Sequence, residues 1–294
     1  MASRAEEAMK CGFDMPLVTY EERITTTLSL PHLLTMKTRR LREDDIFITS
    51  YPKTGTHWVW EIVNMIVAGN AEYAKHWQNH AFLEYRSEAQ LDEIPSPRVF
   101  FTHLLPRQMP EEVWERKCHV IHIDRNPKDA IVSFYVQQTN QNWINKSKPA
   151  AFTGTWDQYV NANILGTVTF DSILGHVLAW SRIPELHPAV PYCQVQFEDL
   201  KKDDVAEVRK LSQFLGRPLA DKVYVEIAEA CRFDKLKHAS ENLKDQTFHN
   251  RWNKGSTGYF RKGETGDWKN WFTVAQSESF DKAYEETFKQ TFPY

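Results

Sequence analysis

Residues 46–68 read IFITSYPKTGTHWVWEIVNMIVA, and three parts stand out in them. Residues 46–51 are a short β-branched and aromatic run, the composition of a strand. Residues 57–68 follow as a helix. Between them lies Lys53-Thr54-Gly55-Thr56, a loop that leaves a strand and opens a helix. Backbone N–H groups at such a point face any anion, and the helix dipole favours negative charge there. Gly55 lets the backbone approach closely, Lys53 supplies a point charge, and Thr54 and Thr56 supply hydroxyls. This is P-loop-like physics without a P-loop sequence. A Walker A motif needs G-x-x-x-x-G-K-[ST], with the lysine after the last glycine. Here Lys53 precedes Gly55, and no such motif occurs elsewhere in the chain. Taken alone, the segment reads either as a phosphate site or as a capped turn.

The same alternation runs outward from this unit. Residues 99–102, 119–124 and 193–197 read as further strands. Asn126-Pro127 reads as an N-cap with proline at the first helical position, opening a helix to about Thr139. Residues 157–165, 171–182, 204–215, 222–230 and 274–288 read as helices, the third of these five stopping at Gly216 as a helix should. Strand, loop and helix repeated in this way predict an α/β fold, with a central parallel sheet flanked by helices. Ligands of such sheets lie at the C-terminal ends of the strands. No repeat or Gly/Ser linker divides the chain, so residues 1–294 are expected to form a single domain, with residues 1–15 as a flexible N-terminus.

Composition narrows the function classes. The chain has 294 residues, 41% hydrophobic and 26% charged, which excludes a disordered chain or a coiled-coil rod. A net charge of −3 lacks the basic balance of a nucleic-acid binder. No apolar run approaches the roughly 18 residues of a membrane span, and MASRAEEAMK lacks the apolar core of a signal peptide. Cys11, Cys118, Cys193 and Cys231 lie far apart with no CxxC, the pattern of reduced thiols in a cytoplasmic protein. No metal is expected. His119 and His122 are three apart on a strand and face opposite sides, and His76 and His80 have no HExxH context.

Two more loops carry chemistry. Arg125 ends the strand 119–124, where a sheet ligand lies, and Ser133 sits two turns into the next helix on the face of its cap. Arginine suits bidentate phosphate recognition; the plain alternative is a surface arginine beside a capped helix. In residues 259–269, Arg261 and Lys262 stand together between glycines, as in a loop that closes over an anion or in an ordinary charged surface loop.

Together the loops are specific. YPKTGTHW (51–58), RNPKDAIVSFY (125–135) and RKGETGDWKNWFT (261–273), in that order and spacing, closely resemble the cytosolic sulfotransferase family, over about residues 16–288. The resemblance implies a single α/β domain, the donor 3′-phosphoadenosine 5′-phosphosulfate (PAPS), its product PAP, and no metal. It implies that Lys53, Thr54, Gly55, Thr56, His57 and Trp58 form the 5′-phosphosulfate loop. Arg125 and Ser133 match the 3′-phosphate contacts, and Arg261, Lys262 and Gly263 match a late loop that grips the same phosphate. Phe233 matches a residue flanking adenine. Phe197 stands where a tyrosine is usual, and it keeps the ring but not the hydroxyl. His103, in Phe101-Thr102-His103-Leu104, matches the catalytic base, with Lys53 stabilising the leaving phosphate. Phe82 and Tyr85 match aromatics of the acceptor pocket, which Phe101 and Thr102 adjoin. Phe101 replaces a common lysine, and His57 a common Thr or Asn.

The acceptor implied is a small phenol, alcohol or amine. Neither residues 84–92 nor 141–149, where substrate loops are expected, carry a readable code for it. Lys269, Thr273, Val274 and Glu278 match the K-x-x-x-T-V-x-x-x-E pattern that the family uses for dimerisation, so a weak homodimer is expected. Two other readings are weighed: a member that binds PAPS or PAP with little or no turnover, and a P-loop kinase, which the missing Walker A lysine argues against.

Overall fold

The computed structural model describes residues 2–76, 78–141, 150–242, 252, 253, 256 and 258–289; most of the 141–149 loop lies outside these. Among the described residues there are six strands: β1 Leu17–Tyr20, β2 Arg23–Thr26, β3 Ile46–Ser50, β4 Val99–Thr102, β5 His119–Asp124 and β6 Tyr192–Gln196. The last four form one parallel sheet in the order β4-β3-β5-β6. Every residue of β3 is buried. That is the pattern of a parallel strand covered by helices on both faces, and it explains why Ile46-Phe47-Ile48 shows no polar alternation.

Helix Thr56–Ala68 leaves β3 through Gly55, whose φ of 109° suits glycine, and stops at Gly69 in the left-handed region. Helix Pro127–Asn140 leaves β5 with the Asn126 side chain accepting from the N–H groups of Lys128 and Asp129. The expected elements are found with ends shifted by a residue or two. One shift matters: Phe197 does not end β6 but opens the helix Phe197–Lys202, and its ring packs against Trp58 and the Arg125 guanidinium.

Two features differ from the expectation. The sequence predicts a flexible end over residues 1–15, yet Arg4–Lys10 is a helix with a Ser3/Glu6 capping box. Ala5, Ala8, Phe13 and Met15 are buried, and the apolar area they remove from water ties the segment to the core. Strands β1 and β2 form an antiparallel hairpin. Its turn is Glu21-Glu22, with φ of 45° and 64°, instead of the Asn-Gly or Asp-Gly that announces a hairpin in sequence. Among the described residues, no helix is long and apolar enough to cross a membrane.

Candidate functional site

Two cavities open at the C-terminal ends of β3, β4 and β5. The larger, about 690 Å³, collects Lys53, Gly55, Trp58, Arg125 and Phe197, with His57, Ser133, Phe233, Arg261, Lys262 and Gly263 on its other walls. The second, about 410 Å³, is lined by Phe82, Tyr85, Phe101, His103 and Phe170 among others. Lys53 borders both.

The geometry at this junction is tight. Lys53 has a φ of 70°, which turns its side chain between the cavities. Its ammonium lies 3.9 Å from the Tyr259 ring centroid and donates to the Tyr259 carbonyl at 3.3 Å. Burial, with Arg125 and Arg261 nearby, lowers the Lys53 pKa to about 7. Gly55 passes so close to Phe197 that a Cβ there would meet the ring at 2.9 Å. Gly263 is closer still: a Cβ would stand 2.3 Å from Phe233. These two glycines let the rings of Phe197 and Phe233 press against backbone, and both rings line the larger cavity.

Arg125 donates through Nη1 to the Lys53 carbonyl at 3.0 Å and through Nη2 to the Glu264 carbonyl at 2.8 Å. Its guanidinium lies 4.2 Å from the Phe197 centroid, and among the described residues its buried Nε has no partner. Arg125 therefore fastens the first loop to the third. The third loop is held by two carboxylates that sequence reasoning passed over. Asp129 accepts from the N–H of Gly266 at 2.7 Å and of Trp268 at 3.0 Å. Asp267 accepts from Arg261 and, at 2.8 Å, from Lys262. Burial opposes ionisation of Asp267, but the bonds from Lys262, Arg261 and Asn270 hold it well below the usual carboxylate range.

His103 follows directly on β4. Its Nδ1 is 2.8 Å from the Ser50 carbonyl. A carbonyl only accepts, so Nδ1 carries the proton and Nε2 keeps the lone pair. The His103 N–H donates to Glu84 Oε1 at 2.6 Å, and Arg23 of the β1–β2 hairpin donates to the His103 carbonyl. Burial, then Arg23 and Lys53, lower the imidazole pKa to about 3, against the Ser50 bond. It is neutral at physiological pH. Phe82, Phe101 and Phe170 surround it, with ring centroids 5.2, 6.0 and 5.4 Å from the imidazole.

Not every anticipated residue reaches a cavity. Thr102 is fully buried in β4 and its hydroxyl accepts from the Leu104 N–H at 3.1 Å, so it shapes the turn that presents His103. Thr54 donates to the Tyr51 carbonyl at 2.8 Å and closes its own loop. Thr56 faces the second cavity and bonds Ser50 Oγ at 2.7 Å. His57 contacts Ser240 Oγ at 3.2 Å, joining the first loop to helix Phe233–Asn242. Among the described residues, no group of three or more His, Cys, Asp or Glu side chains is placed to hold a metal ion. Tyr259, Asp129, Asp267, Glu84 and Arg23 emerge only in three dimensions. The one signal in sequence was that Tyr259 and Asp267 belong to the Arg-Lys loop.

Comparison with known proteins gives a consistent result. The family pattern described as the sulfotransferase domain matches residues 43–292. The chain is 33% identical over 260 residues to human Sulfotransferase 1C2, covering 85% of each chain. It is 36% identical over 260 residues to human Sulfotransferase 1E1, again covering 85% of each. The crystal structure of mouse sulfotransferase SULT7A1 complexed with PAP is 30% identical, with a TM-score of 0.74 over 94% of this chain and 95% of that one.

Proposed function

The chain belongs to the sulfotransferase family and is a PAPS-dependent sulfotransferase acting on small acceptors, and we propose the following division of roles. The larger cavity takes the donor and the smaller one the acceptor, and His103 Nε2 receives the acceptor's proton. The observation that carries this reading is that Lys53 borders both cavities while His103 has its Nδ1 committed to Ser50. A base whose far nitrogen is pinned presents the near one in a fixed direction.

The residues of the larger cavity fit the donor. Trp58, Phe197 and Phe233 offer rings for adenine, and the Gly263 cradle leaves the space. Lys53 and the N-terminus of helix Thr56–Ala68 suit the 5′-phosphosulfate, while Arg125, Ser133 and Arg261 suit the 3′-phosphate. The bound donor supplies the sulfuryl group, and its phosphate gains charge as it leaves. Lys53 stabilises that charge. Asp129 and Asp267 act indirectly, by holding the Arg261–Lys262 loop over the site. The free state of Cys11, Cys118, Cys193 and Cys231 suits a cytosolic setting.

This assignment predicts donor selection. Charged hydrogen bonds contribute roughly 1.5–3 kcal/mol each. PAP is expected to bind far better than AMP, which lacks the 3′-phosphate, and Arg125→Ala to weaken PAP by about tenfold or more. Titration calorimetry measures both. Equal affinity of the wild type for PAP and AMP refutes the reading of this cavity.

Assembly follows from the C-terminal segment. Lys269, Thr273, Val274 and Glu278 are all exposed, Val274 at 75%. Thr273 and Gln276 cap the helix Val274–Lys289 reciprocally, at 2.9 and 3.2 Å, so Val274 projects from a defined turn. In our reading two copies meet here antiparallel about a two-fold axis, Lys269 opposite the partner's Glu278, as an isologous interface requires. The patch is small beside the ~1,000 Å² of a secure interface, so the dimer dissociates on dilution. Val274→Glu places like charges at the axis and is expected to give a monomer that still binds PAP. Light scattering at high and low concentration decides; a wild type that is monomeric throughout, or a dimeric variant, rules the interface out.

A further inference from the structure

The acceptor cavity has a charge character that its aromatic walls do not require. Its described lining contains Lys53, Arg86, His32 and His103 and no aspartate or glutamate. Lys53 belongs to the donor side. Arg86 and His32 line the cavity together with Leu28, which is 48% exposed and marks a point where the cavity meets solvent.

This second cationic pole is built, not incidental. Arg86 donates through Nε to the Asn79 carbonyl at 2.9 Å, which fixes the plane of the guanidinium, and among the described residues its two Nη groups have no partner. Among the described residues no carboxylate pairs with it. Arg39, buried behind the cavity, donates to the Arg86 carbonyl at 2.7 Å, the Leu83 carbonyl at 2.7 Å and the His32 carbonyl at 3.4 Å. It therefore locks the two segments that carry Arg86 and His32, and adds its own charge to theirs. His32 registers the result: burial, then Arg39 and Arg86, lower its pKa. The carboxylates that bear on Arg39 are Glu84 and Glu88. Neither lines the cavity, and burial raises the Glu84 pKa to about 7. Phe82, Phe101 and Phe170 line the same cavity and give it apolar walls around His103.

We infer that the acceptor is amphipathic: an apolar, ring-bearing body whose nucleophilic hydroxyl meets His103 and whose far end carries a carboxylate read by Arg86, with His32 beside it. The inference rests on the assignment of the smaller cavity to the acceptor. A guanidinium with two free Nη groups matches a carboxylate bidentately. A cavity whose described lining has no carboxylate neither repels such a ligand nor favours an amine in its place.

The test uses p-hydroxyphenyl alkanoic acids of graded chain length, with the methyl ester and the primary amine of each, as acceptors with PAPS. At the best length the acid is expected to exceed its ester in kcat/KM by about tenfold or more, the difference lying in KM, with the amine poorest. Arg86→Gln is expected to bring the acid-to-ester ratio near one, and Arg86→Lys to restore part of it. An ester equal to its acid at every length, or a ratio that survives Arg86→Gln, overturns the proposal while leaving the sulfotransferase reading intact. If no phenol of the series is turned over, the role given to the smaller cavity fails. Binding of the unreactive p-methoxy acids and esters to the PAP-loaded protein then reads the charge preference directly, and equal affinities overturn it.

Discussion

His103→Ala is expected to lower kcat by about 10²–10⁴ with PAP affinity almost unchanged, because the substitution removes the proton acceptor and leaves the donor walls in place. The Nδ1 bond to Ser50 and the backbone bonds to Glu84 and Arg23 fix the ring. Only the ring nitrogen that faces the cavity is left for chemistry. His103→Asn separates this role from packing, since its amide keeps a donor near Ser50 but supplies no base. It is expected to be as slow as the alanine variant. The pH profile adds a second reading. The neutral imidazole is the active form, and activity falls as pH drops through its pKa. An ordinary histidine gives that fall near 6.5. With the His103 pKa lowered to about 3 by burial, kcat/KM for the acceptor, measured with the donor site saturated so that Lys53 stays charged, is expected to hold as pH falls from about 8 to about 5. Near-normal turnover of either variant on every acceptor eliminates His103 as the base.

The donor side was legible in sequence because its chemistry is local. A strand end, a glycine, a lysine and a helix start lie within a few residues at 53–58, and the covalent chain alone brings them together. The central strands were legible for a related reason: burial on both faces concentrates β-branched and aromatic residues in them, as in Ile46-Phe47-Ile48 of β3 and Val120-Ile121 of β5. What failed to show is what depends on distance along the chain. Asp129 meets Gly266 and Trp268 across 137 and 139 positions, and nothing near Asp129 distinguishes it from any helix-start aspartate. Arg23 looks like a surface cation in sequence, yet it is buried against His103 and Gln108 because an unannounced hairpin carries it there. Thr102 shows the opposite error: adjacency to His103 suggested a ligand contact, whereas strand alternation points its side chain the other way. The acceptor cavity draws on residues near 28, 82, 101, 137, 170 and 259. No single segment encodes it, which is why its charge became visible only in the fold.

The second large effect falls on Lys53. Lys53→Met is expected to reduce kcat by about 10²–10³, the loss that follows removal of one preorganised charge from a site where negative charge develops. The same residue leaves a signature in binding. In the donor-free protein its pKa is lowered to about 7 by burial, with Arg125 and Arg261 adding to the effect, so the ammonium loses its proton as pH rises through that value. A phosphate dianion beside it favours the charged form and raises the pKa again. PAP binding at about pH 8 is therefore expected to draw up to about one proton from solution, seen by calorimetry in two buffers of different ionisation heat. The methionine variant is expected to lose that uptake. Destabilisation does not explain such a result. A lowered lysine pKa means that the folded state binds fewer protons than the unfolded chain between about pH 7 and 10.4, so the buried ammonium opposes folding below that window. Lys53→Met is accordingly expected to melt no lower than wild type at pH 7. A variant within a few-fold of normal kcat, or one that still takes up the proton, removes Lys53 from the role of charge stabiliser and shifts it to the Arg125–Arg261 pair beside it.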